Sequence, residues 1–90
     1  MASRLITAHD IRDTVTEEFL RSPKARTVAQ IAEDLFVSEG VIRRVLDANH
    51  GLIPGLAQER VGTIGRATAW AFAPTRNYLA ELLLAAVHSK

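Results

Sequence analysis

The chain of 90 residues has no cysteine, which removes disulfides, thiolate metal sites and thiol nucleophiles together. Long apolar runs are also missing. The longest, Leu82 to Val87, falls far short of the ~20 residues that a membrane-spanning helix needs. The first residues, Met1 to Asp10, are too polar and too soon acidic for a secretory signal, so no membrane partner is expected and the cytoplasm is the expected compartment. Serine occurs only at Ser3, Ser22, Ser38 and Ser89, none of them in a nucleophile elbow. His9, His50 and His88 are scattered, without the spacing of a metal-binding helix, and the glycines build no phosphate cradle. The expectation is a protein that is no enzyme and takes no metal or cofactor.

A large charge of one sign is absent too, since the net charge is only +1. Its distribution is uneven. Residues 1–40 hold five Lys/Arg against seven Asp/Glu, and residues 41–90 hold six against three. Arg43, Arg44, Arg60, Arg66 and Arg76 are thus the candidates for a basic face. What is present in quantity is apolar side chain, 48% of residues, in ordinary globular proportion for one domain.

Three helix starts are well marked. Thr7 with Asp10 makes a short-armed capping box, and Ile6 and Ile11 are placed as its hydrophobic staple. Ile11, Val15 and Phe19 then recur at helical spacing, with Leu20 widening the stripe, until Ser22-Pro23. Thr27 with Gln30 is a full box opening a second helix, with Val28, Ile31, Ala32 and Leu35 inward. Ser38 is placed to cap a third helix, over 38–50, that ends on Asn49-His50-Gly51, with Val37 and Ile42 as staple. After the connector Leu52-Ile53-Pro54-Gly55, the period changes to two. Leu56 to Val61 and Arg66 to Ala73 read as strands of a hairpin over 56–73, with Gly62 to Gly65 as its turn. Trp70 and Phe72 fall on one face of the second strand and are expected in the core. Thr75 caps a last helix from Arg76 to His88.

The stretch Thr27 to Leu46 puts two helices of about eight residues on either side of a three-residue turn, which forces a steep crossing. Ala32 supplies the small residue at the crossing, and Ile31, Leu35, Val37, Ile42 and Val45 supply the anchors. This spacing resembles the helix-turn-helix of bacterial and phage transcription regulators. With the hairpin that follows, the similarity is to the winged variety found in the MarR and ArsR groups of repressors, over Thr7 to Phe72. The resemblance implies a mainly α fold of three helices, a two-stranded wing and a C-terminal helix. Residues 1–74 would form the winged helix-turn-helix domain and 75–90 a dimerisation element. Phe36 departs from the pattern, standing where glycine is frequent. An aromatic there implies either a different turn or a side chain folded into the core.

What the resemblance implies about function is a homodimeric regulator binding duplex DNA. At 100° per residue, Ile42, Val45, Leu46 and Asn49 share the inner side of the third helix, leaving Gly40, Arg43, Arg44 and Asp47 outside for a major groove, with Ser38 and Glu39 at its start. Glu39 either favours the helix dipole or accepts a hydrogen bond from cytosine. Arg43 and Asp47 are also spaced as a solvated ion pair. Arg60, Thr63 and Arg66 border the hairpin tip, as wing contacts or as an ordinary surface turn. The last helix is apolar around nearly its whole circumference, which one small domain cannot cover. Tyr78, Leu79, Leu82, Leu83 and Ala86 are its candidate seam with a second copy. The competing class is a winged-helix module for protein–protein contact, a phage inhibitor or assembly adaptor, favoured by near-neutral charge and Glu39.

Overall fold

Both threonine boxes form. The computed structural model describes residues 5–64 and 67–88, the side chains at 61–69 and 88 excepted. At the start of α1 (Ala8–Arg21), the Thr7 amide donates to Asp10 Oδ2 at 2.9 Å and the Asp10 amide donates to Thr7 Oγ1 at 3.3 Å. At the start of α2 (Val28–Leu35), Thr27 and Gln30 exchange the same pair of bonds at 3.0 and 3.2 Å. Each box satisfies amides that a helix start otherwise leaves without partners. Ile6 and Ile11, the staple of α1, are both buried.

The third helix, α3 (Glu39–Ala48), starts differently. Ser38 has the extended backbone of an N-cap but makes no side-chain capping bond. Its far end is closed by a Schellman pair: the Gly51 amide donates to the Leu46 carbonyl at 2.7 Å and the His50 amide to the Asp47 carbonyl at 3.1 Å. His50, at φ +56°, and Gly51, at φ +75°, both take left-handed backbone there.

The sheet corrects the expectation of a two-stranded hairpin. It has three antiparallel strands, in the order β1-β3-β2, giving a small α/β domain of four helices and one sheet among the described residues. The unexpected strand, β1 (Arg26–Thr27), pairs Arg26 with Phe72 and Thr27 with Ala71. Two residues carry no readable alternation, and Thr27 also caps α2, so helix signals dominate its sequence. Arg26 is fixed by a two-pronged ion pair to Asp34 of α2, at 2.8 Å. β2 (Leu56–Ile64) also runs longer than expected. Gly62, Thr63 and Ile64 pair with Ala69, Thr68 and Ala67 of β3 (Ala67–Pro74), after an irregularity in register between Arg60 and Gly62. Gly65 and Arg66 lie outside the described residues.

The core lies between the first three helices and one face of the sheet. Ile11, Val15, Ile31, Ile42 and Phe72 are its fully buried large side chains, with Ile6, Ala32, Leu35 and Ile53 beside them. Ile53, read from the sequence only as part of a connector, is thus a core residue. Leu20 is a correction in the other direction: it is 68% exposed, because at about 100° per residue it falls on the side of α1 opposite Ile11. The turn from Ile53 to Leu56 has Pro54 second and Gly55 third, with Gly55 at φ +90°, the pattern of a type II turn. A side chain at Gly55 would be excluded twice, by that φ and by Tyr78, whose Cγ lies 3.0 Å from where a Cβ would stand.

The last helix, α4 (Arg76–His88), is capped by Thr75, whose Oγ1 accepts from the Tyr78 amide at 3.1 Å. Tyr78 pins the helix to its own domain. Its ring abuts Gly55, and the Arg12 guanidinium sits 5.2 Å from the ring centroid, within cation–π range. No described helix is long and apolar enough to cross a membrane.

Candidate nucleic-acid interface

The exposed side of α3 follows from its inner side. Ile42 is fully buried, and Val41, Val45 and Leu46 pack against the core. That fixes the helix rotation and leaves Glu39, Gly40, Arg43, Arg44 and Asp47 in solvent. Arg43 pairs with Glu39, one turn earlier, at 3.3 Å, rather than with Asp47 one turn later. Arg44 has no ion pair among the described residues. Ser38, exposed and free of capping duty, opens this face. Gly40 is conspicuous here. Among the described residues a Cβ built on it would meet only Ser38 Oγ, at 3.7 Å, an ordinary contact that does not demand glycine.

Beside α3 the sheet adds a second wall. Cross-strand pairing sets Gln58 opposite Phe72 and Arg60 opposite Trp70, on one face of the sheet. Between that face and the C-terminal half of α3 lies an open notch of about 390 Å³, lined by Arg43, Leu46, Asp47, Gly51, Gln58, Trp70 and Phe72. Phe72 is buried as expected, but Trp70 is not a core residue: it is 45% exposed. Gly51, which also lines the notch, brings no side chain to cover it.

The candidate wing residues divide. Arg60 is exposed, on the strand opposite Trp70. Thr63 pairs through its backbone with Thr68, its side chain lying outside the described residues, as all of Arg66 does.

The candidate dimer residues divide as well. Leu79, Leu82, Leu83 and Ala86 line one apolar groove of about 380 Å³, and Leu20 of α1 completes it, a contribution not read from the sequence. Tyr78 is apart from this groove, packed on Gly55 beneath Arg12. Leu83, Leu84 and Val87 are each more than half exposed.

Phe36 resolves differently from either expectation. The turn is an ordinary left-handed helix end, at φ 58° and ψ 43°, with Phe36 itself in the left-handed position. Its side chain is not folded inward but 93% exposed, beside Ala29, Glu33 and Glu39. No cluster of three or more potential metal ligands occurs among the described residues. Comparison of the chain with protein-family models, with curated proteins and with solved structures finds no match.

Proposed function

We propose that this domain is a winged helix-turn-helix module that binds duplex DNA, with α3 in the major groove and the β2–β3 hairpin as wing. The observation that carries the reading is a series of exposed arginines running from α3 to the hairpin, interspersed with Glu39 and Asp47. Arg44, without an ion pair among the described residues, is on the exposed side of α3, and Arg43 on that side also lines the notch that leads to Trp70 and its strand partner Arg60. Gly40 fits the same reading, because a helix that approaches a groove floor closely gains from a missing side chain. The element order α1, β1, α2, α3, β2, β3, with β3 central, is similar to that of winged-helix domains.

Two copies would associate through the groove between α1 and α4. Leucines at 20, 79, 82 and 83 offer an apolar surface with no charge inside it, and a second α4 is apolar enough to fill it. A two-fold dimer would present two α3 helices to two half-sites.

The deciding experiment is an electrophoretic shift with random and native-locus duplexes across a salt series. Phosphate neutralisation makes log affinity fall linearly with log salt. No shift at low salt would end the DNA reading. The exposed Phe36 beside Glu33 favours a second reading, a protein-contact module, which that result would bring forward.

A further inference from the structure

Trp70 is a large aromatic left half in water where α3 and the hairpin meet. The walls around it are chemically sorted. Leu46 and Phe72 make an apolar floor, Arg43, paired with Glu39, stands on the helix side, and Gln58 stands on the sheet side, with Arg60 next to the notch as the strand partner of Trp70. Among the described residues lining the notch, Asp47 is the one carboxylate. A flat apolar surface bordered by two guanidiniums and an amide suits a ligand with an apolar ring joined to anionic groups. A deoxyribose between phosphates has that composition. Arginines favour phosphate by charge and by forked geometry, and an indole offers both an apolar face and an N–H donor. The Asp47 carboxylate repels phosphate, so the anionic groups are directed away from it, to the sides held by Arg43 and Arg60.

We infer that Trp70 grips one strand of the duplex, its indole packed on a deoxyribose while Arg43 and Arg60 neutralise the adjacent phosphates. The inference rests on the DNA-binding reading and adds a contact residue to it. This contact positions the domain without reading sequence, since sugar and phosphate are the same at every base.

Trp70 is the only tryptophan in the chain, so its fluorescence reports on this one position. The unmutated full chain is titrated with a mixed-sequence duplex at low salt, in parallel by anisotropy of the labelled duplex and by acrylamide quenching with the unlabelled one. At saturation the quenching constant should fall about twofold or more, as a half-exposed ring becomes covered. Trp70→Ala should lower affinity about tenfold on every sequence and leave the salt slope unchanged. Arg60→Ala should flatten that slope by about 0.9. Trp70→Phe, which keeps an aromatic on the apolar floor, should fall between parent and Trp70→Ala, with urea midpoints measured for both variants. Binding by anisotropy with unchanged quenching overturns the inference and leaves the DNA reading standing. No binding overturns both. Stronger protection by one separated strand than by the duplex overturns the backbone contact in favour of stacking on an unpaired base.

Discussion

The Arg43 guanidinium lies 3.3 Å from the Glu39 carboxylate, one turn back along α3. Both side chains are more than half exposed, so the pair is weak, in the range of about 0.3–1 kcal/mol. It still competes with any phosphate for the same arginine, and the carboxylate repels phosphate directly. Glu39→Gln is therefore expected to raise affinity for duplex DNA about two- to fivefold, the same range expressed as a ratio. Filter binding at several salt concentrations measures it. An affinity that falls would mean that Glu39 itself contacts a base.

Arg44, without an ion pair among the described residues, is the better placed of the two arginines. Arg44→Ala should cost roughly 1–3 kcal/mol of specific affinity if it reads a base. Arg43→Ala should cost less, because part of its interaction is already given to Glu39. Both variants should keep the parent circular dichroism, since neither side chain packs in the core. A double variant that shifts DNA as the parent does would remove α3 from the interface.

Leu83 tests assembly cleanly. It is 68% exposed, so a charge there leaves the fold of one copy intact. In a two-fold seam the same substitution occurs twice, and each leucine buried fully is worth roughly 1.5–3 kcal/mol. Leu83→Glu should convert a dimer to monomers at micromolar concentration and lower DNA affinity, as two half-sites are no longer engaged together. Sedimentation reads the first effect. A parent chain that already sediments as a 9.9 kDa species would rule the dimer out.

Phe36 leads to a prediction of opposite sign. A bulky residue in left-handed backbone stores about 1–3 kcal/mol, and at 93% exposure its side chain returns little packing. Glycine removes that strain while gaining freedom in the unfolded chain, an offset of about 0.4–1 kcal/mol. Phe36→Gly should therefore stabilise the domain by about 1 kcal/mol, which for this size raises Tm by about 4–8 °C. Thermal unfolding followed by circular dichroism checks it. A lower Tm would show that the ring has packing partners in solution.

The helices were legible because their signals are local. Thr7 with Asp10 and Thr27 with Gln30 declare two starts, and the Ile and Val spacing declares which face turns inward. That is enough to assign the outer face of α3, with Gly40, Arg43, Arg44 and Asp47, before any coordinates. What escaped depends on distances between elements. β1 exists only because Phe72 and Ala71 arrive beside it from far along the chain. The exposure of Trp70 depends on what the rest of the chain lays over that face of the sheet, and alternation along the strand specifies its face without specifying its cover. Leu20 falls about half a turn from Ile11, off the inward stripe, and its place beside α4 depends on a helix from the far end of the chain. The same limit applied to Tyr78, whose neighbours Arg12 and Gly55 come from two other parts of the chain.

The strand order β1-β3-β2 also decides how the sheet meets other molecules. β3 is paired on both sides, so only β1 and β2 offer free backbone groups at the margins. β1 is two residues long, too short to template a further strand. β2 is long, but its exposed stretch Gln58-Glu59-Arg60 is polar and charged, and its register breaks immediately afterwards. Charge and irregularity of this kind discourage edge-to-edge addition of another chain. The sheet thus gives little foothold to open-ended, fibre-like growth, in which each added chain would extend the edge left by the last.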